Sequence, residues 1–234
     1  MKHLLLLGAS LLGLQTLSAT PMCMTGSLAT YESLGAGGCT IGANTLASFI
    51  TLTGSSGGTA ISPGAITITP IGGTTNPGLM IQLSQTANTN QTLEAIFDYM
   101  ISGAAYTADT LTLSGSSETG NGDVTDIQNF CEGGSFGPDG VDGCTGPNGA
   151  LVTDDGVQNM DNASLASPHL VSITDDIVID SGGVGSASGG TFVDQLNATP
   201  LATGTPEPGT TCLLLGAGIA IAALRLRKRR IGHA

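Results

Sequence analysis

The side chains that could do chemistry are few, and each invites a specific test. One histidine, His169, lies between residues 20 and 200, in the stretch Ser167-Pro168-His169-Leu170. Serines abound, so a Ser–His–Asp relay is combinatorially open, but no Gly-x-Ser-x-Gly elbow accompanies it, and a lone His before a strand reads as structural. The acid pairs Asp154-Asp155 and Asp175-Asp176 offer the carboxylates that a glycosidase needs. Adjacent residues on a strand point to opposite faces, so neither pair makes a catalytic couple. They read as turn and strand-edge acids, and no catalytic residue is assigned. A flexible, oxygen-rich loop suits a hard cation better. Asp139 and Asp142 sit in CEGGSFGPDGVDGC (131–144), with Asp123, Asp126 and Glu132 just upstream. These five are the candidate Ca²⁺ ligands, although no EF-hand spacing is present. Ca²⁺ is the one cofactor the residues suit; phosphate-loop and dinucleotide fingerprints are missing.

Cysteine offers a second kind of chemistry. Of five Cys, Cys212 lies in an apolar tail, and the others form two local groups, Cys23 with Cys39 and Cys131 with Cys144. Neither group has the Cys-x-x-Cys or His spacing of a zinc site. In an exported chain two disulfides are expected, each worth roughly 3 kcal/mol on the loop-entropy argument. The short separations favour the local pairing over the two crossed ones, and sequence alone leaves all three open.

The charge distribution limits what partners are possible. All six Lys and Arg are Lys2, Arg225, Arg227, Lys228, Arg229 and Arg230, whereas the eighteen carboxylates lie from Glu32 to Glu207. The central segment is a polyanion without one Lys or Arg, so it has no footprint for nucleic acid and is repelled by anionic membrane surfaces. Its acidity reads most simply as a solubility device.

The elements that must position these groups read as β. Ala65-Ile66-Thr67-Ile68-Thr69 and Thr110-Leu111-Thr112-Leu113-Ser114 alternate with the period of a half-buried strand. Further strands are expected over 45–54, 78–86, 91–103, 121–130, 170–183 and 191–197, separated by Gly-, Ser- and Asn-rich turns. Only residues 91–100 compete as a helix, and strand is preferred there. Short strands at this spacing predict an antiparallel β-sandwich ectodomain over residues 20–200. With no Trp and only three Tyr, the aromatic residues are expected in its core rather than on a sugar-stacking surface.

The two ends read as addresses. Residues 1–19 carry one Lys, an apolar run from Leu4 to Leu17 and then small residues, the pattern of a secretory signal peptide cut after Ala19. At the other end, over 201–234, a Pro-Glu-Pro turn is followed by the apolar run Cys212–Leu224 and a basic cluster. At ~1.5 Å per residue that run spans about 20 Å of a ~30 Å hydrocarbon core, a short transmembrane helix. Arg225, Arg227, Lys228, Arg229 and Arg230 place its end on the cytoplasmic side, so the segment between the signals faces outward. Pro206 and Pro208 hold the backbone extended just outside the membrane, as a protease cleft requires.

Pro206-Glu207-Pro208-Gly209, the apolar helix and RLRKRR, in that order and at the chain's end, resemble the PEP-CTERM sorting signal of exopolysaccharide-producing Gram-negative bacteria. The resemblance covers about the last 30 residues, and only Ile231 to Ala234, beyond the basic cluster, depart from it. It implies Sec export, recognition by the membrane protease exosortase, cleavage near Pro206–Gly209 and delivery to the surface. The resulting expectation is a non-enzymatic, disulfide-stapled surface or matrix protein near extracellular polysaccharide. The membrane would hold it only through the C-terminal helix before processing. The alternatives are a secreted hydrolase and a Ca²⁺- or glycan-binding adhesion module.

Overall fold

The computed structural model describes residues 20–52, 58–137, 140 and 142–199. The expected signal peptide and sorting signal, with Pro206, Glu207, Pro208, Gly209 and the cations Arg225 to Arg230, lie outside the described residues, as does Asp139. Among the described residues no helix is long and apolar enough to cross a membrane.

Strands dominate. In chain order they are β1 (Gly26–Ser27), β2 (Cys39–Ile41), β3 (Asn44–Thr51), β4 (Thr59–Ala60), β5 (Ile66–Ile71), β6 (Gly78–Leu83), β7 (Thr86–Asn88) and β8 (Thr92–Ser102). They continue as β9 (Ala105–Ser114), β10 (Ser117–Gly120), β11 (Asp123–Glu132), β12 (Asn148–Asp154), β13 (Met160–Ser164), β14 (Leu170–Asp180), β15 (Gly185–Ser188) and β16 (Thr191–Thr199). One sheet runs β1-β5-β6-β16-β9-β13, and the other runs β12-β11-β14-β8-β3-β2 with β4 beside β8. A small third sheet, β10-β15-β7, closes one end. Apart from β4, which runs parallel to β8, the paired strands are antiparallel. Spatial neighbours are distant in sequence: β8 lies beside β14, and β6 beside β16.

The alternation that predicted these strands is what buries them. Leu111 and Leu113 of β9 and Ile66 and Ile68 of β5 point inward, while the intervening Thr residues stay half-exposed. The ambiguous stretch at 92–102 is a strand, because eleven consecutive residues of it pair with β14 and its other edge takes β3. Ala95, Phe97, Tyr99 and Ile101 then share its inner face. All three Tyr and all five Phe are buried, and one continuous core joins the two large sheets. The rings of Phe49 and Tyr99 stack at 5.2 Å, and Tyr31 meets Phe49 edge-on at 4.9 Å.

Both local disulfides form, Cys23–Cys39 with Cα atoms 4.8 Å apart and Cys131–Cys144 with Cα atoms 5.7 Å apart. The first encloses a short helix, α1 (Leu28–Glu32), started by Ser27 and buried through Leu28 and Tyr31. The second folds back over β14, where the hydroxyl of Thr174 donates to the carbonyl of Gly140 at 2.5 Å. Gly140 has φ +72°, and a Cβ there would stand 2.2 Å from Leu52 Cδ1, so only glycine fits.

Candidate functional site

The acids do not all behave as a solvated shell. Asp109 on β9, Asp126 on β11 and Asp175 on β14 are fully buried between the sheets, and Asp194 on β16 is 1 % exposed. Asp175 is therefore a central-strand residue of the core, which corrects its reading as a strand-edge acid. Asp176 faces the opposite side of β14 and is only half-buried, so the pair makes no couple. Asp154-Asp155 does sit at a turn, closed by the amide of Gly156 donating to Asp154 Oδ1 at 2.9 Å.

No Lys or Arg exists within the domain to neutralise the interior carboxyls. Asp175 accepts one hydrogen bond, from Gln128 Nε2 at 3.1 Å, and Asp194 accepts one from the hydroxyl of Tyr99 across the sandwich. Both oxygens of Asp109 and of Asp126, with Gln128 Oε1 and Thr153 Oγ1, have no partner among the described residues. All of these atoms but the Thr153 hydroxyl are acceptors only, so the interior is short of donors. Burial pushes Asp109 up to about 8, helped by the charge of Asp175, and burial alone pushes Asp194 up to about 8. Asp175 rises to about 7 through burial and the charge of Asp98, against the hydrogen bond from Gln128. Asp126 is raised well above the ordinary carboxylate range by burial and by Asp175 and Asp176. Protons on these acids supply the missing donors and remove the charge that burial penalises.

The outer face of the β12-to-β2 sheet carries an open groove of about 470 Å³. Both disulfide loops wall it: Gly35 and Ala36 from the first, and Ser135, Phe136 and Gly137 from the second. Its floor is β3 and β8, where β3 bulges at Ser48 (φ 59°) and turns Phe49 inward while Ile50 stays half in solvent. Apolar side chains make up most of its lining, and among the described residues Asp98 is its only ionisable side chain. Asp98 accepts from Ser172 Oγ at 3.1 Å. Burial raises it to about 6 against its hydrogen bond from Ser172, so it is charged at neutral pH.

A third locus is acidic and exposed. Ligating oxygens of Glu118, Asp123 and Asp155 lie within 4.8 Å of one another where β10, β11 and the end of β12 meet. The charge of Asp155 is the largest influence raising Glu118, while burial and then Asp154 and Asp155 raise Asp123. An all-oxygen set of this kind matches the ligand chemistry of a hard divalent cation. Of the four expected Ca²⁺ ligands among the described residues, only Asp123 belongs to it. Asp126 is in the core, Glu132 accepts from the amide of Ala166 at 2.7 Å, and the Asp142 carbonyl accepts from Gly137 at 2.6 Å inside the second disulfide loop. Sequence proximity misleads here because Asp123 and Asp126 sit on opposite faces of one strand.

His169 is exposed just before β14, its Nδ1 3.1 Å from the carbonyl of Gly103, and among the described residues no Ser or Asp side chain bonds to it. The interior acids were missed, yet period two marks them. Asp109 shares parity with Leu111 and Leu113, Asp126 with Val124 and Phe130, Asp175 with Ile173 and Ile177, and Asp194 with Phe192 and Leu196.

No protein-family model matches the chain, and no characterised protein matches it in sequence. Among solved structures, the enzymatically active domain of bacteriophage CBA120 tailspike protein 4 is similar at a TM-score of 0.24 and 11 % identity. The match covers 66 % of this chain and 19 % of that one, a likeness too slight to carry over fold or activity.

Proposed function

We propose that this chain is a non-enzymatic, exported cell-surface or extracellular-matrix protein. The Sec machinery carries it across the membrane, the C-terminal helix holds it briefly, and exosortase cuts it near Pro206–Gly209. The observation that carries the reading is the pairing of two disulfides with an all-β domain that contains no Lys or Arg. Disulfides persist in oxidising compartments, and the domain lies between two stretches with the pattern of export and sorting signals. Its acidity favours a soluble existence among extracellular polysaccharide.

The test uses the full chain in an exosortase-bearing host, with one epitope inside the domain and one after Ala234. The internal epitope is expected in the surface or medium fraction without the C-terminal one. Replacing Pro206, Glu207 and Pro208 by Ala is expected to leave both epitopes in the inner membrane. An intact cytoplasmic chain with reduced Cys131 and Cys144 would overturn the reading. The adhesion-module alternative keeps one concrete locus, the carboxylates of Glu118, Asp123 and Asp155. The hydrolase alternative gains nothing from His169, which is joined to no nucleophile among the described residues.

A further inference from the structure

We infer that the groove between the two disulfide loops is a docking site for a basic side chain, the Lys or Arg of a partner polypeptide, with its charge on Asp98 and its apolar stem along Ile50, Met100 and Phe136. Three observations lead there. First, the lining is mostly apolar, with one half-buried carboxylate among the described residues, on its floor. An aliphatic stem ending in one cation matches that arrangement, since long basic side chains bury their methylenes and place the charge at the tip. Second, the complement cannot come from within the domain, which has no Lys or Arg between residues 3 and 224. Among the described residues one hydroxyl, that of Ser172, donates to Asp98, and a cation there gains a charge-assisted bond on a poorly solvated acid. Third, the walls belong to covalently closed loops, and Gly140 pins the second loop to β14, so the groove exists before the partner arrives.

The groove is open on one side, which favours a side chain delivered by a larger partner. A small free amine would remain largely solvated there.

The register supplies an internal control. Ile50 of β3 stands directly opposite Asp98 of β8 and is 53 % exposed. A Lys at position 50 would reach the same carboxylate from within the chain, because opposed side chains in such a pair start about 5 Å apart.

The experiment follows the Met100 methyl group by NMR in the exported protein labelled at methionine, with the exposed Met22, Met24 and Met160 as internal references. The probe is a capped hexapeptide holding one Lys among Leu and Ala residues, compared with its norleucine analogue and with n-hexylammonium. The Lys peptide is expected to shift Met100 saturably and to bind at least tenfold more tightly than the norleucine peptide. Asp98→Asn is expected to remove that tenfold preference, and Ile50→Lys to block the peptide while the protein stays folded. Equal binding of the two peptides would reduce the groove to a nonspecific apolar surface. Binding of n-hexylammonium as tight as the Lys peptide would make it a small-amine site, and an unmoved Met100 at millimolar peptide would end the inference.

Discussion

Raising the pH should unfold this domain, and Asp194 shows how strongly. Its ordinary value is 3.8 and burial lifts it to about 8 in the folded chain. A group whose folded pKa is raised contributes stability that is fully present below the unfolded pKa and is lost as pH rises through the folded one. Between about pH 4 and pH 8 the native state therefore holds a proton that the unfolded chain releases. Each such proton costs ~1.4 kcal/mol of stability per pH unit, so Asp194 alone removes about 6 kcal/mol across that window. Asp109, also lifted to about 8, doubles the slope to ~3 kcal/mol per pH unit. Total domain stability is about 5–15 kcal/mol, so two such groups span most of it. Charge repulsion among the surface acids has the same sign, so the wild-type slope alone would not isolate the core. Asp194→Asn does. The amide carbonyl keeps the hydrogen bond from Tyr99, and the amide group takes the place of Oδ1, which has no partner. The variant is expected to be about 1 kcal/mol less stable near pH 5 and several kcal/mol more stable near pH 8. For a domain of this size the difference in slope is about 3–5 °C of melting temperature per pH unit. Circular-dichroism melts of both proteins at half-unit steps from pH 4.5 to 8.5 read it directly. Parallel melting curves, or a wild-type stability that climbs towards pH 8, would refute the account of the core.

Gly140→Ala should cost about 1–3 kcal/mol, since φ +72° disfavours a Cβ and the methyl would meet Leu52 and Thr174; a melt matching wild type would deny that the second loop is pinned there. Replacing Cys131 and Cys144 together by Ser should lower stability by about 3 kcal/mol in denaturant titrations, with the loop cleaved faster by protease. On the adhesion-module reading, millimolar Ca²⁺ raises the melting midpoint and Glu118→Gln with Asp123→Asn erases the rise; equal midpoints with Ca²⁺ and with chelator remove that reading.

Much of the scaffold was legible because strand burial has period two and needs only local sequence. The alternations at 66–69 and 110–114 became β5 and β9, and the stretches at 170–183 and 191–197 became β14 and β16. Polar or glycine-bearing strands were not legible. Asn148–Asp154, Met160–Ser164 and Gly185–Ser188 carry few apolar residues and are strands because β11, β9, β7 and β10 offer them edges. Residues 92–102 were read as a strand over a competing helix, and their two neighbouring strands are what fix them so.

The sequence by itself determined the β character of this protein, its cysteine groups and its lack of any Lys or Arg between residues 3 and 224. These depend on composition and on spacing along the chain. Only the tertiary structure decided which acids are buried, because a strand's inward face acquires its meaning when a second sheet covers it. It also brought Asp98 beneath loops that are closed by cysteines far from it in the chain, and it separated Asp123 from Asp126. Those outcomes depend on long-range pairing, in which β8 meets β14 and β6 meets β16 across intervals that no local pattern encodes.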